Sequence, residues 1–125
     1  MALKKQNGEE AWKQDRNLNA PSEAAQSYST PLVVTEGDRE TLVILGADHV
    51  TAQDVANGQE LWRVSGLNPT GQQFFRSISS PVISNGIVVA PYARGSTLTA
   101  IKLGGAGDVT KSNVAWSKDK LGADV

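Results

Sequence analysis

An internal repeat with a period of 50 residues constrains this chain more than any other feature. The run NGEE at positions 7–10 returns as NGQE at 57–60, and STPLV at 29–33 returns as SSPVI at 79–83. Ala2 and Trp12 have counterparts at the same offset in Ala52 and Trp62. A fixed period of this length is typical of similar units stacked side by side.

A third, longer copy begins at LTAI, positions 98–101. It keeps Ala100 and Trp116, but these residues are 16 positions apart, six more than the spacing of ten in the other copies. The extra residues fall in the glycine-rich run GGAGD at 104–108. This run lacks the lysine and following serine or threonine of a phosphate-binding loop at the required spacing, so we expect a flexible hairpin insertion.

Strand and turn patterns fill each period, and no helical periodicity is long enough for a substantial helix. We expect two strands at 2–5 and 10–15, then two sets of four strands at 29–35, 41–47, 50–55 and 60–65, and at 79–84, 86–92, 97–103 and 113–118. A short helical turn is expected around 21–26. Asn-Gly pairs at 57–58 and 85–86 predict two-residue hairpin turns, because both residues tolerate a positive φ.

Units of four antiparallel strands that repeat every 40 to 50 residues are typical of β-propeller blades. The sequence therefore predicts an all-β, partial propeller, divided into the last two strands of a preceding blade (1–16), two complete blades (17–65 and 66–119) and the start of the next inter-blade loop (120–125). A propeller needs at least four blades. We expect either a piece of a longer protein or copies that associate to complete a ring.

The run AQDVANGQELW at 52–62 resembles the tryptophan-docking repeat of PQQ-like (quinoprotein-type) β-propellers, A-x-D-x-x-x-G-x-x-x-W. The matching positions are Ala52, Asp54, Gly58 and Trp62 in this copy, Ala2, Gly8 and Trp12 in the first, and Ala100 and Trp116 in the third. Lys4 and Lys102 stand where the motif has its acid. The resemblance covers essentially the whole chain and implies a parent of eight blades, exported to the bacterial periplasm or cell surface.

In that family the tryptophan of one blade lies against the glycine and alanine of its neighbour, because only small residues let an indole approach the backbone. The resemblance therefore implies structural docking roles for Trp12, Trp62 and Trp116. For Asp54, the acid of the motif, we expect hydrogen bonds to turn amides rather than catalysis.

Composition excludes several classes of site. The chain has no cysteine and one histidine, His49, so disulfides, thiol nucleophiles and sites built from several histidines or cysteines are excluded, and we predict no metal site. The 12 basic and 13 acidic residues are scattered, which argues against a nucleic-acid partner. Apolar runs of four or five residues are too short for a transmembrane segment, and residues 1–10 carry no export signal.

Ligand-binding residues are expected where the loops of one propeller face meet, at 17–28, 46–49, 66–78 and 91–96. The candidates on these loops are Asp48, His49, Phe74, Phe75, Arg76, Tyr92 and Arg94. Arg76 and Arg94 have the geometry to clamp a carboxylate or phosphate. The alternatives are that the arginines pair locally, that Phe74 and Phe75 pack their loop onto the blade, and that the histidine makes a loop hydrogen bond.

Three hypotheses for function follow. The leading one is a non-catalytic scaffold of the bacterial envelope, without a cofactor, that binds a protein or other macromolecule. The second is a segment of a PQQ- and calcium-dependent quinoprotein dehydrogenase whose catalytic residues lie on other blades, because none of that family's catalytic positions can be matched here. The third is a sugar- or peptide-binding propeller that uses Arg76 or Arg94.

Overall fold

The computed structural model describes residues 1–123, which form eleven strands. They are β1 (Ala2–Leu3), β2 (Glu10–Trp12), β3 (Leu32–Glu36), β4 (Arg39–Gly46), β5 (His49–Asp54), β6 (Glu60–Val64), β7 (Val82–Ser84), β8 (Ile87–Tyr92), β9 (Thr97–Lys102), β10 (Gly107–Asp108) and β11 (Val114–Asp119). Short 3-10 turns span Ser22–Ala25 and Ala93–Gly95, and a single helical turn, α1, spans Thr110–Asn113. The predicted all-β class and the helical turn near residue 21 are confirmed.

Apart from β10, the strands form three sheets that follow the chain order. We call β1 and β2 the half-blade, β3 to β6 blade 1, and β7, β8, β9 and β11 blade 2. Within each blade every neighbouring pair of strands is antiparallel. The two predicted sets of four antiparallel strands are therefore confirmed, as expected for a partial propeller.

A single apolar core joins the two blades. Along β4 the buried side chains are Thr41, Val43 and Leu45, and along β8 they are Val88, Ala90 and Tyr92, so burial alternates with the period of two that a strand imposes. The apolar residues among them belong to one cluster that also contains core residues of β5, β6 and β9. The packing of one blade face against the next therefore gives the chain its core.

The two Asn-Gly pairs behave differently. Asn85 and Gly86 have φ of 50° and 75° and connect β7 to β8 as the predicted two-residue turn. The prediction for Asn57-Gly58 is wrong, because β5 ends at Asp54, β6 begins at Glu60 and the connection between them is five residues long. That longer turn is closed by its own hydrogen bonds, and one of them joins the Gly58 N–H to the Asp54 carbonyl at 2.7 Å.

The inner strands of both blades begin later than predicted, at Leu32 and Val82 instead of positions 29 and 79. In the residues that precede these strands, hydrogen bonds that involve side chains take the place of the backbone hydrogen bonds of a sheet. The Ser29 hydroxyl donates to the Leu45 carbonyl at 2.6 Å, and the Thr30 N–H donates to the Ser80 hydroxyl at 2.8 Å.

The glycine-rich insertion is not the hairpin predicted from the sequence. It forms β10, which pairs in parallel with β6 and adds a fifth strand to the outer edge of blade 1. The Val109 N–H donates to the Arg63 carbonyl at 2.9 Å, and the Ser65 N–H donates to the Thr110 hydroxyl at 2.9 Å. The free hydrogen-bonding groups of the β6 edge explain this pairing. The insertion thus ties the β9–β11 connection of blade 2 to blade 1.

Residues 120–123 follow β11, while residues 124–125 of the predicted segment 120–125 lie outside the described residues. Within residues 1–123, no helix has the length and apolar character needed to span a membrane.

Candidate functional site

Four side chains meet where the β4–β5 turn, the loop between the blades and the end of β8 come together. The Tyr92 hydroxyl donates to the Asp48 carboxylate, and the Asn68 amide donates to the same carboxylate at 3.1 Å. The Phe75 and Tyr92 rings contact each other edge to face, with centroids 6.4 Å apart. We call these residues the Asp48 cluster. It brings together three of the predicted candidates and links the two blades.

The turn that carries Asp48 has an unusual backbone. Ala47 and Asp48 both have positive φ, 52° and 63°, in the two-residue connection between Gly46 and His49. Aspartate tolerates this region better than most residues do. The turn thereby directs the carboxylate toward blade 2.

Asn68 was not among the sequence candidates. Its side chain also accepts the Gln72 N–H at 2.9 Å and donates to the Gln72 carbonyl at 3.0 Å, so it closes the loop on which it lies. Its place before a proline indicates a turn and nothing about the carboxylate 20 positions earlier. No local signal in the sequence identifies this contact.

Burial is the main cause that raises the pKa of the Tyr92 phenol well above its usual value, and the hydrogen bond to Asp48 adds to the effect. A phenolate in this position would lose its hydration and would face a carboxylate. Tyr92 therefore stays a neutral hydrogen-bond donor throughout the physiological pH range.

We expect Tyr92→Phe to lower the free energy of unfolding by about 1–2 kcal/mol near neutral pH, because Asp48 loses a donor. Above about pH 10 the unfolded state releases the tyrosine proton while the folded state retains it, so stability falls as the pH rises, by about 1.4 kcal/mol per unit for this group. Urea denaturation at about pH 9 and pH 11 should show that the free energy of unfolding falls more steeply with pH in the unsubstituted chain than in the variant. Tyr28→Phe, at an exposed tyrosine, is the control and should leave the slope unchanged.

The two inter-blade loops lie side by side on the same face. The Tyr28 N–H donates to the Ser77 carbonyl at 2.7 Å, and the Ala24 N–H donates to the Gln73 carbonyl at 3.0 Å. Arg76 forms an ion pair with Glu23, with Nε and Oε2 3.2 Å apart. Arg76 is thus paired locally, which was the alternative to an anion clamp, and such an exposed pair contributes little to stability.

Three large apolar side chains project into solvent from these paired loops. Tyr28 is 63% exposed, Phe74 58% and Ile78 40%. We call them the loop patch. Phe74 was a sequence candidate, whereas Tyr28 and Ile78 were missed, although both lie within loops that the sequence placed on this face.

The remaining candidates lie on neighbouring connections. The His49 Nδ1 atom lies 2.6 Å from the Ala47 carbonyl oxygen, a hydrogen bond within its own turn. Arg94 lies in the 3-10 turn between β8 and β9 with a φ of 54°. Arg76 lies on the inter-blade loops, where its guanidinium pairs with Glu23.

The half-blade docks on blade 1 through Trp12. Its indole N–H donates to the Val55 carbonyl at 2.8 Å, and a β-carbon at Gly58 would overlap the indole ring. The Asp54 carboxylate accepts the Ala56 N–H at 2.8 Å and lies 3.6 Å from the Arg39 guanidinium. The glycine is therefore required both by its φ of 76° and by the indole that lies on it.

The other motif residues differ in burial. In every copy the alanine pairs across the sheet with the tryptophan: Ala2 with Trp12, Ala52 with Trp62, and Ala100 with Trp116. Trp62 is 1% exposed, whereas Trp116 is 43% exposed on the outer strand of blade 2. A Cβ at Gly8 would have no atom within 4 Å.

A cavity of about 470 Å³ lies between the half-blade and blade 1. Arg16 lines it and donates to the Thr51 hydroxyl at 2.8 Å and to the Gly46 carbonyl at 3.0 Å. Burial lowers the pKa of Arg16 to about 10. Sequence reasoning missed this arginine, because its burial depends on how the half-blade packs.

Acidic side chains and His49 do not form a metal-binding cluster among the described residues. Among residues 1–123 no three aspartate, glutamate or histidine side chains gather closely enough to hold a metal ion. Asp48, the carboxylate on the loop face, is held by Tyr92 and Asn68.

The successive four-stranded sheets and the docking of Trp12 on Gly58 define a PQQ-like repeat protein of the β-propeller type. The family model described as outer membrane protein assembly factor BamB matches residues 1–122, and the chain belongs to that family. None of the curated proteins compared with the chain matches it.

Proposed function

We propose that this chain is a non-catalytic protein-interaction segment of an outer-membrane assembly scaffold, and that the loop patch contacts the partner protein. The observation that carries the proposal is the exposure of Tyr28, Phe74 and Ile78 on two loops whose backbones are bonded to each other. The family name, outer membrane protein assembly factor, supports a protein partner and a location on the periplasmic side of the outer membrane.

Exposed aromatic residues on a fixed backbone suit a protein interface. Aromatic side chains supply large contact areas and are common among the residues that dominate binding energy. The loops are held by backbone hydrogen bonds and by the Asp48 cluster beneath them. Little conformational entropy is then lost when a partner binds, which favours affinity.

The polar side chains of this face are engaged in positioning the loops. Asp48 accepts hydrogen bonds from Tyr92 and Asn68, Arg76 pairs with Glu23, and His49 bonds to its own turn. Asp48 would have to release its two donors to act as a general base, and Arg76 would have to release Glu23 from its Nε to bind an anion there. This arrangement favours a scaffold over a catalytic segment.

We expect Phe74→Ser to weaken partner binding at least tenfold, which corresponds to about 1.4 kcal/mol or more. The probe is a set of purified outer-membrane assembly proteins, each immobilised in turn, with the chain in solution and binding measured by interferometry. Val33→Ser is the matched control, since Val33 is 57% exposed but lies on β3, away from the loops.

Saturable binding that is lost in Phe74→Ser and kept in Val33→Ser supports the proposal. Equal weakening by both variants would contradict a role for the loop patch. Saturable binding of PQQ with calcium to this chain, measured by calorimetry, would contradict the scaffold and favour the dehydrogenase hypothesis.

A further inference from the structure

Three Asn-Gly pairs lie in turns of this chain, at 7–8, 57–58 and 85–86. Such a pair can react with itself. The glycine nitrogen, once it has lost its proton, bonds to the side-chain carbonyl carbon of asparagine, and the bond from that carbon to the side-chain nitrogen breaks, so that ammonia leaves. Water then opens the succinimide ring to give aspartate or isoaspartate. Glycine favours the ring closure, because it has no side chain to obstruct the attacking nitrogen.

Hydrogen bonds hold both reacting groups at two of these pairs. The Gly58 N–H donates to the Asp54 carbonyl at 2.7 Å, and the Asn57 side chain accepts the Gln59 N–H at 2.8 Å. The pair at 7–8 has the equivalent bonds, 2.8 Å long at the glycine N–H and 3.1 Å long at the asparagine side chain. At both pairs the nitrogen and the side chain are therefore free to react only after these bonds open.

Both reacting groups are free at the third pair. Asn85 and Gly86 are exposed and form the two-residue turn between β7 and β8. Among residues 1–123, neither the Asn85 side chain nor the Gly86 N–H has a hydrogen-bond partner. The Gly86 carbonyl accepts the Leu103 N–H at 2.9 Å, a bond that involves neither reacting atom. A Cβ at Gly86 would have no atom within 4 Å, so the turn is open to water.

We propose that Asn85-Gly86 is a site of spontaneous deamidation, which the folded chain converts to aspartate and isoaspartate while it protects the pairs at 7–8 and 57–58. Water is the co-reactant, and ammonia is the product that leaves. The rate should rise with pH, because the attacking nitrogen must first lose its proton. This inference does not depend on the loop patch or on its partner.

The two products affect the hairpin of β7 and β8 differently. Aspartate tolerates the positive φ of Asn85 and leaves the length of the backbone unchanged. Isoaspartate continues the backbone through its side chain and so lengthens a turn whose geometry depends on its length. Strand β7 has three residues and, in the described part of the chain, pairs with β8 alone. Isoaspartate is therefore expected to release β7 from blade 2.

Peptide mapping by mass spectrometry, after incubation of the folded chain at neutral and at alkaline pH, tests the proposal. Trypsin places the pairs in separate peptides, 6–13, 40–63 and 77–94, each with a single asparagine. Asn85 is expected to deamidate at least tenfold faster than Asn57 or Asn7. At those two residues a pair of hydrogen bonds must first open, which slows a rate by about that factor.

The same incubation in concentrated urea is the matched control, because unfolding frees all three pairs. Their rates should then become similar. If Asn85 is modified no faster than Asn57 in the folded chain, the proposal is wrong. It is also wrong if a tenfold difference persists in urea, since the difference would then come from the neighbouring sequence and not from the fold.

Asn85→Asp separates the effect of the new charge from that of the longer backbone. Its melting temperature is expected to match that of the unsubstituted chain. The isoaspartate form, isolated by chromatography after incubation, should melt at a lower temperature than Asn85→Asp. Equal melting temperatures for these two forms would overturn the release of β7.

Discussion

Gly58→Ala is expected to lower the free energy of unfolding by about 2–5 kcal/mol and to release the half-blade from blade 1. Two costs combine. Alanine at a φ of 76° is strained, and its methyl group would overlap the ring of Trp12. The ring is also tied in place by its hydrogen bond to the Val55 carbonyl, so it cannot move aside without losing that bond.

Urea denaturation followed by circular dichroism measures this change, and Gly86→Ala separates its two causes. Gly86 has a φ of 75° but no atom within 4 Å of a Cβ position, so alanine there carries the strain without the overlap. We expect Gly58→Ala to be the more destabilising of the two by at least 1 kcal/mol, about the lower bound for overpacking a well-packed site. Equal destabilisation would show that Trp12 does not dock on Gly58.

A double-mutant cycle with Trp12→Ala adds a direct test of the contact. Once the indole is removed, the alanine at position 58 has nothing to overlap, and its cost should fall to that of Gly86→Ala. Hydrogen exchange at the Gly8 amide, which is bonded to the Lys4 carbonyl within the half-blade, should accelerate in Gly58→Ala and remain slow in Gly86→Ala.

The repeat made much of the fold predictable. The apolar runs at 42–45 and 87–90 lie in the predicted strands β4 and β8, and the Asn85-Gly86 turn follows from the two residues that tolerate positive φ. Each of these features depends on neighbours in the sequence. The periodicity then predicts the second blade from the first, because residues at equivalent positions of the repeat are expected to pack in the same way.

The features that the sequence did not predict depend on contacts between distant segments. The path of the insertion is set by the free edge of β6, which lies more than 40 positions earlier in the chain. Asn68 reaches Asp48 only because the inter-blade loop folds back over the β4–β5 turn. The exposure of Tyr28 and Ile78 is likewise decided by the way two loops pair. Composition and spacing carry no signal for any of these contacts.

Trp62→Ala is expected to lower the free energy of unfolding by about 3–5 kcal/mol, the usual cost of removing a large aromatic side chain from a core. Trp62 is 1% exposed and belongs to the cluster that joins both blades. It also lies on β6, where Gly107 of the insertion pairs with it. Its loss should therefore loosen β10 as well as the core.

Trp116→Ala is the matched control, because the two tryptophans occupy the same motif position but differ in burial. With 43% of Trp116 exposed, its truncation is expected to cost about 1 kcal/mol or less. Urea denaturation of the two variants should thus differ by at least 2 kcal/mol. Similar losses for both would mean that Trp62 is not part of the core that joins the two blades.

The indole nitrogen of Trp62 permits a finer comparison. No acceptor for its N–H lies within residues 1–123, whereas the Trp12 N–H bonds to the Val55 carbonyl. A buried donor without a partner is a cost that phenylalanine does not carry. In Trp12→Phe the free energy of unfolding should therefore fall by the contribution of a hydrogen bond as well as by lost packing. In Trp62→Phe it should fall only through lost packing, and removal of the unpaired donor offsets part of that fall. Trp12 and Trp62 occupy the same motif position, so this difference would arise from the insertion, which replaces in the third copy the regular turn that holds the indole of Trp12.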